Sequence, residues 1–143
     1  MTLVQAMRRH PPVISPEATI RSAARQMASH ATSLLPVVAD RRIVGTLSAF
    51  DLVVRSLGGG LDPGRRTVRA VMRPDPQTCR PEDSIPEVRA RMRALRVATL
   101  PVVEDNGELV GLVDLFDVED AADDGSAAGP EPDFVKRVRG DPL

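Results

Sequence analysis

The 143-residue chain has no tryptophan, no tyrosine and three phenylalanines, Phe50, Phe116 and Phe134. With so few aromatic faces it lacks the platforms on which single-stranded bases commonly stack. Neither sign of charge prevails: 19 basic and 20 acidic side chains leave a formal charge of -1, so no positive field holds a polyanion. Nucleic acid is therefore not an expected partner. The one cysteine, Cys79, cannot close an internal disulfide, and with only His10 and His30 beside it the chain offers no metal-ligand spacing. Among apolar neighbours in a short strand, Cys79 reads as a buried structural thiol. No apolar run approaches the roughly 18 residues of a membrane span. The opening M-T-L-V-Q-A-M-R-R-H has no apolar core of a secretory signal, so a cytoplasmic protein without a membrane partner is expected.

Catalytic motifs are missing as well. There is no Ser, His and acid constellation, no paired histidines and no G-x-G-x-x-G, and Gly58, Gly59 and Gly60 are not followed by G-K-S/T. The sequence nominates no catalytic residue and no metal site, and an enzyme is not expected.

What the chain does have is an internal repeat. At an offset of 65, Thr2, Met7, Pro11, Pro16, Ile20, Met27, Pro36, Val37, Val38 and Asp40 fall on Thr67, Met72, Pro76, Pro81, Ile85, Met92, Pro101, Val102, Val103 and Asp105. One residue gained in a turn then makes the offset 66, and G-T-L-S-A-F-D (Gly45 to Asp51) falls on G-L-V-D-L-F-D (Gly111 to Asp117).

Each copy reads alike. Ser84, with Glu87 three residues on, predicts a capped helix whose Ile85, Val88, Met92 and Leu95 share one face, with Arg89, Arg91, Arg93 and Arg96 turned to solvent. In the first copy Thr19 is the cap, and Ile20, Ala23, Ala24, Met27 and Ala31 form the stripe, whose alanines imply close packing. Then come an apolar strand (Leu34 to Ala39, Thr99 to Glu104), a polar turn and a second strand (Ile43 to Leu47, Leu109 to Val113). Asp105-Asn106-Gly107 is a hairpin signal. Pro36 and Pro101 call for edge or strand-end positions because each removes a ladder donor. A short helix from near Ala49 or Leu115 closes each unit. The expected class is α+β: short strand, helix, strand, strand, helix, twice. The boundaries are residues 1–57 and 67–120, a glycine-rich linker at 58–66, and an acidic, mobile tail at 121–143 in which Phe134, Val135 and Val138 could dock as one helical turn.

The segments V-I-S-P-E-A-T-I, L-L-P-V-V and G-T-L-S-A-F-D, matched by T-C-R-P-E-D-S-I, T-L-P-V-V and G-L-V-D-L-F-D, resemble a tandem pair of CBS domains, or Bateman module, over about residues 1–120. The linker is similar to that of stand-alone bacterial CBS-pair proteins. The resemblance implies two β-α-β-β-α units packed with pseudo-twofold symmetry, a homodimer, and clefts that bind adenosine compounds: AMP, ADP, ATP or S-adenosylmethionine. It implies a non-catalytic regulatory module with no certain cofactor, acting through dimerisation or a partner protein; the alternative is a ligand-free scaffold. In the first copy it assigns Asp51 to the ribose hydroxyls and Ser48 to the phosphate, with Thr46 standing where the family has an apolar residue. Val97 and Ala98 from the second copy, Val71 near the entering helix and Ser33 would complete that cleft. Loop residues Arg65 and Arg66 could reach a phosphate or stay solvated. The second frame, Asp114 and Asp117, departs from the pattern. A carboxylate at position 114 would repel a phosphate by about 4 kcal/mol at about 4 Å and an effective dielectric near 20, against about 1 kcal/mol for a hydrogen bond. The second cleft is expected to be empty, adapted to a cation or neutral nucleoside, or structural.

Overall fold

Two helices start where the sequence places their caps. Thr19 Oγ1 accepts the Ser22 N–H at 3.1 Å and Ser84 Oγ accepts the Glu87 N–H at 3.2 Å, satisfying backbone donors that a helix start leaves open. The computed structural model describes residues 2–122, so the expected tail lies outside the described residues beyond Ala122. In chain order the elements are α1 (Leu3–Ala6), β1 (Arg8–Arg9), α2 (Ile20–His30), β2 (Leu34–Ala39), β3 (Arg42–Ser48) and α3 (Ala49–Asp51), which continues as a π-helical turn at Leu52–Leu57. A 3-10 turn at Val68–Ala70 then leads to β4 (Arg73–Pro74), α4 (Ile85–Leu95), β5 (Thr99–Val103), β6 (Leu109–Asp114) and α5 (Leu115–Ala122).

The strands form two antiparallel sheets, ordered β2-β3-β4 and β1-β6-β5, so each sheet takes its short strand from the other repeat. The registers match across the repeat: Gly45 faces Pro74 and Thr46 faces Arg73 in one sheet, while Gly111 faces Arg9 and Leu112 faces Arg8 in the other. The packing units are thus not the linear repeats. Val68, Val71 and Met72 enter the core of the first half with Ile20, Met27, Leu35, Val37 and Leu47. Leu3 enters the core of the second with Ile85, Val88, Met92, Leu100, Val102 and Val113. Each such burial contributes about 1.5–3 kcal/mol, so the exchange is strongly favoured.

The glycine that opens each seven-residue frame makes the exchange sterically possible. A methyl carbon built on Gly45 would lie 2.6 Å from the Arg73 carbonyl oxygen, and one on Gly111 2.8 Å from that of Arg8. Both prolines sit on edge strands. The carbonyls of Pro36 and Pro101 point outward to accept Ile14 N–H at 3.0 Å and Cys79 N–H at 2.9 Å, so the missing donors also face away from the ladder. Gly107, at φ 87, turns the second hairpin, whereas the first bends through Asp40 and Arg41 at φ 51 and 66.

Two details of the helix stripes differ from the periodicity. Ala24 and Ala31 are exposed, and among the stripe's alanines only Ala23 is buried. Ala31 has left the helix: it is the left-handed C-cap at φ 51, whose following residue, Thr32, donates to the Met27 carbonyl at 3.0 Å. Leu95, at the end of α4, is also exposed. Of the arginine run, Arg93 pairs with Glu119 and Arg91 donates to the Thr78 carbonyl at 2.6 Å. Cys79 is 1% exposed, and burial pushes its thiol up to about 12.

Gly45→Ala and Gly111→Ala are expected to destabilise the fold by about 1–3 kcal/mol each, the cost of overpacking against backbone, measured by urea unfolding. Native Cys79 is expected not to react with an aromatic disulfide reagent at neutral pH and to react fully after denaturation; a fast native reaction would show that the site opens.

Candidate functional site

Where β3 runs into α3, the residues of the first frame meet a segment of the other repeat. Ser48 is the N-cap of α3, and its Oγ accepts the Asp51 N–H at 3.0 Å while Asp51 Oδ2 accepts the Ser48 N–H at 3.0 Å. Such reciprocal bonds fix both side chains at one helix start. From β4, placed there by the strand exchange, Arg73 Nε donates to Asp51 Oδ1 at 2.9 Å. The Asp51 side chain is 1% exposed and the Arg73 side chain 54%, so the guanidinium covers the carboxylate and itself faces solvent. Burial alone would raise the Asp51 pKa; the Ser48 N–H and the Arg73 guanidinium outweigh it and hold the carboxyl below its ordinary value. Arg55, from the π-helical turn, donates to the Met72 carbonyl at 3.3 Å and secures the segment that carries Arg73.

Next to this cluster is a cleft of about 460 Å³ lined by Ser33, Thr46, Ser48 and Asp51 from the first repeat and by Arg73, Pro74, Asp75, Pro76, Gln77, Val97, Ala98 and Thr99 from the second. The structure therefore brings Ser33, Thr46, Ser48, Asp51, Val97 and Ala98 together, as the resemblance implied. Val71 is a correction: it is fully buried in the first half's core and does not line the cleft, because the 3-10 turn before it directs this apolar side chain inward beneath β4. Arg65 pairs with Asp62 at 3.6 Å in the linker, and neither it nor Arg66 lines the cleft. Arg73, Asp75, Gln77 and Thr99 are polar lining residues that sequence reasoning missed. The signal for Arg73 was present, since Met72-Arg73 repeats Met7-Arg8 at the same offset.

The cleft sits within the range of about 300–1,000 Å³ usual for small-molecule sites. It offers apolar walls from Leu34, Val97, Leu100 and Pro101, a hydroxyl at a helix start, and one carboxylate held ionised. Its charged groups are Asp51, Arg73 and Asp75. The second frame is arranged otherwise. Asp114 Oδ2 pairs with Arg8 at 3.3 Å and Asp114 Oδ1 accepts the Thr99 hydroxyl at 2.9 Å; Asp117 lies in the first turn of α5. A larger cavity of about 610 Å³, at another edge, is lined by Arg9, His10, Arg41, Glu104 and Glu108 among apolar residues and contains none of the predicted site residues. Among the described residues no group of three or more His, Cys, Asp or Glu could hold a metal ion, and no helix is long and apolar enough to cross a membrane.

Known proteins agree with this architecture. The CBS domain family matches the chain twice, over residues 3–58 and 68–124. An inosine-5'-monophosphate dehydrogenase of Korarchaeum cryptofilum is 37% identical over 105 residues, 73% of this chain and 21% of that protein, so the chain spans about a fifth of that relative's length. The CBS domain-containing protein YhcV of Bacillus subtilis is 32% identical over 105 residues, 73% of this chain and 74% of YhcV. Among solved structures, Hypoxic Response Protein I with two coordinated zinc ions superposes with a TM-score of 0.76 at 28% identity, covering 83% of this chain and 97% of that one. CBSX2 in complex with AMP gives 0.74 at 23% identity over 85% and 95%. The CBS domain pair of protein MJ0100, in complex with 5-methylthioadenosine and S-adenosyl-L-methionine, gives 0.72 at 21% over 85% and 95%. With a tandem match across both repeats and a fold shared with CBS pairs, this chain belongs to the CBS-domain family.

Proposed function

We propose that the chain is a non-catalytic regulatory module that binds an adenosine compound in the cleft carrying Ser48 and Asp51. The observation that carries this reading is the convergence of a helix-start serine, an ionised buried carboxylate and apolar walls from both repeats on one cleft of about 460 Å³. An ionised carboxylate accepts only, and each oxygen of Asp51 has a lone pair beyond the one used by Arg73 or Ser48, so it suits a ribose diol. Contact requires Arg73 to swing away, which its flexible and half-exposed side chain allows. The Ser48 Oγ accepts the Asp51 N–H and keeps its own proton for an anionic phosphate oxygen. Walls of Val97, Ala98 and Leu100 take the base without aromatic stacking. AMP in CBSX2, and 5-methylthioadenosine with S-adenosyl-L-methionine in MJ0100, support this ligand class.

Output would pass through association. Phe50, Val53, Val54 and Leu57, on the helix that begins at this cleft, are 64%, 59%, 49% and 77% exposed, and Phe116 on α5 is 61% exposed. That apolar surface suits a homodimer or a partner protein. A second reading, a scaffold without a ligand, is favoured by the reciprocal Ser48 and Asp51 bonds, which give both side chains a role in capping the helix.

Isothermal titration with AMP, ADP, ATP and S-adenosylmethionine separates the two. At least one should bind the wild type and lose at least tenfold in affinity to Asp51→Ala; four flat traces would leave the scaffold. Asp51 also links stability to acid. Its folded pKa lies below the ordinary aspartate value of 3.8, so its contribution is complete above that pH and is lost as pH falls through the folded value. Asp51→Asn is expected to be less stable at neutral pH and to show a shallower loss of stability below about pH 3.8, measured by urea unfolding across the acid range.

A further inference from the structure

Building on the adenosine reading, we propose that the second frame is closed to nucleotide by an internal ion pair, so that the chain takes one adenosine ligand although its repeat supplies two frames. The repeat places Arg8, Asp114 and Asp117 where the first frame has Arg73, Ser48 and Asp51. β1 crosses β6 in the same register as β4 crosses β3, so Arg8 reaches the second frame as Arg73 reaches the first. The two arginines then choose different partners. Arg73 takes Asp51, the seventh residue of its frame, and leaves Ser48 open; Arg8 takes Asp114, the fourth residue of its frame, at 3.3 Å.

Counting donors shows what this does to a phosphate. In the first frame the Ser48 hydroxyl retains a proton to give. In the second, Asp114 is acceptor-only, and its two oxygens take one N–H of Arg8 and the Thr99 hydroxyl proton, the latter at 2.9 Å. An incoming phosphate meets the Asp114 carboxylate, bound to Arg8, where the first frame offers it the Ser48 hydroxyl. Arg9 and His10, next along the segment, line the larger cavity at the other edge. The Arg8 and Asp114 side chains are 49% and 35% exposed, so the pair controls occupancy more than stability and can be removed without unfolding the chain.

Equilibrium dialysis with AMP reads the stoichiometry. Per chain, the wild type is expected to bind one AMP, Asp51→Ala none, Asp114→Ser two, and the double variant Asp51→Ala with Asp114→Ser one, held at the second frame. Two AMP on the wild type, or one on an Asp114→Ser variant that melts like the wild type, would overturn the proposal. If Asp114→Ser melts early, Asp114→Asn, similar in shape and uncharged, is held to the same criterion. Failure of both the wild type and Asp114→Ser to bind any AMP would instead defeat the adenosine reading beneath it.

Discussion

The constraint on which the structure depends is the reciprocal exchange of two short strands. β1 leaves the first repeat to complete the second repeat's sheet, β4 does the reverse, and each passes so close to its host strand that only a glycine fits beneath it. The backbone contact is modest, two residue pairs on each side, but it brings apolar anchors with it: Leu3 into one core and Val68, Val71 and Met72 into the other. Polar consequences follow from the same geometry. Arg73 stands over Asp51, and Arg8 over Asp114, only because their strands have crossed.

Much of this was legible in the chain. The repeat fixed the order of elements, the caps at Thr19 and Ser84 marked the helix starts, and the prolines marked the edges. Six of the seven nominated residues of the first cleft line it, because a motif placed at the end of a strand and the start of a helix has little freedom in where its side chains point. What was not legible is pairing between distant segments. The repeat pairs Arg73 with Arg8 but does not show that the two-residue strands Arg8–Arg9 and Arg73–Pro74 join the opposite sheets, which is what sets Arg73 over Asp51. Val71 was given to the cleft when its side chain faces the core. Ala24 and Ala31 followed the period but not the packing, since a C-cap ends a helix before its hydrophobic stripe does. The Phe134 segment lies outside the described residues.

The two frames also show how one substitution changes the role of an unchanged neighbour. Arg8 and Arg73 hold equivalent positions, yet a carboxylate at the fourth residue of the frame attracts one, and the seventh residue holds the other. In the first half the ion pair is nearly buried on its acidic side and the hydroxyl remains available; in the second the ion pair is shallow and the hydroxyl of Thr99 is spent. Thr99 lines the first cleft as well, so the two frames share a wall.

The crossing strands bear on biosynthesis. Arg8 and Asp114 are 106 positions apart, so a nascent chain cannot complete its second sheet until nearly all described residues have left the ribosome. Until then Leu3 and β1 wait without their native partners, and closure depends on a long-range search of the kind that slows folding. Neither repeat is self-sufficient during synthesis, and the module matures as a pair.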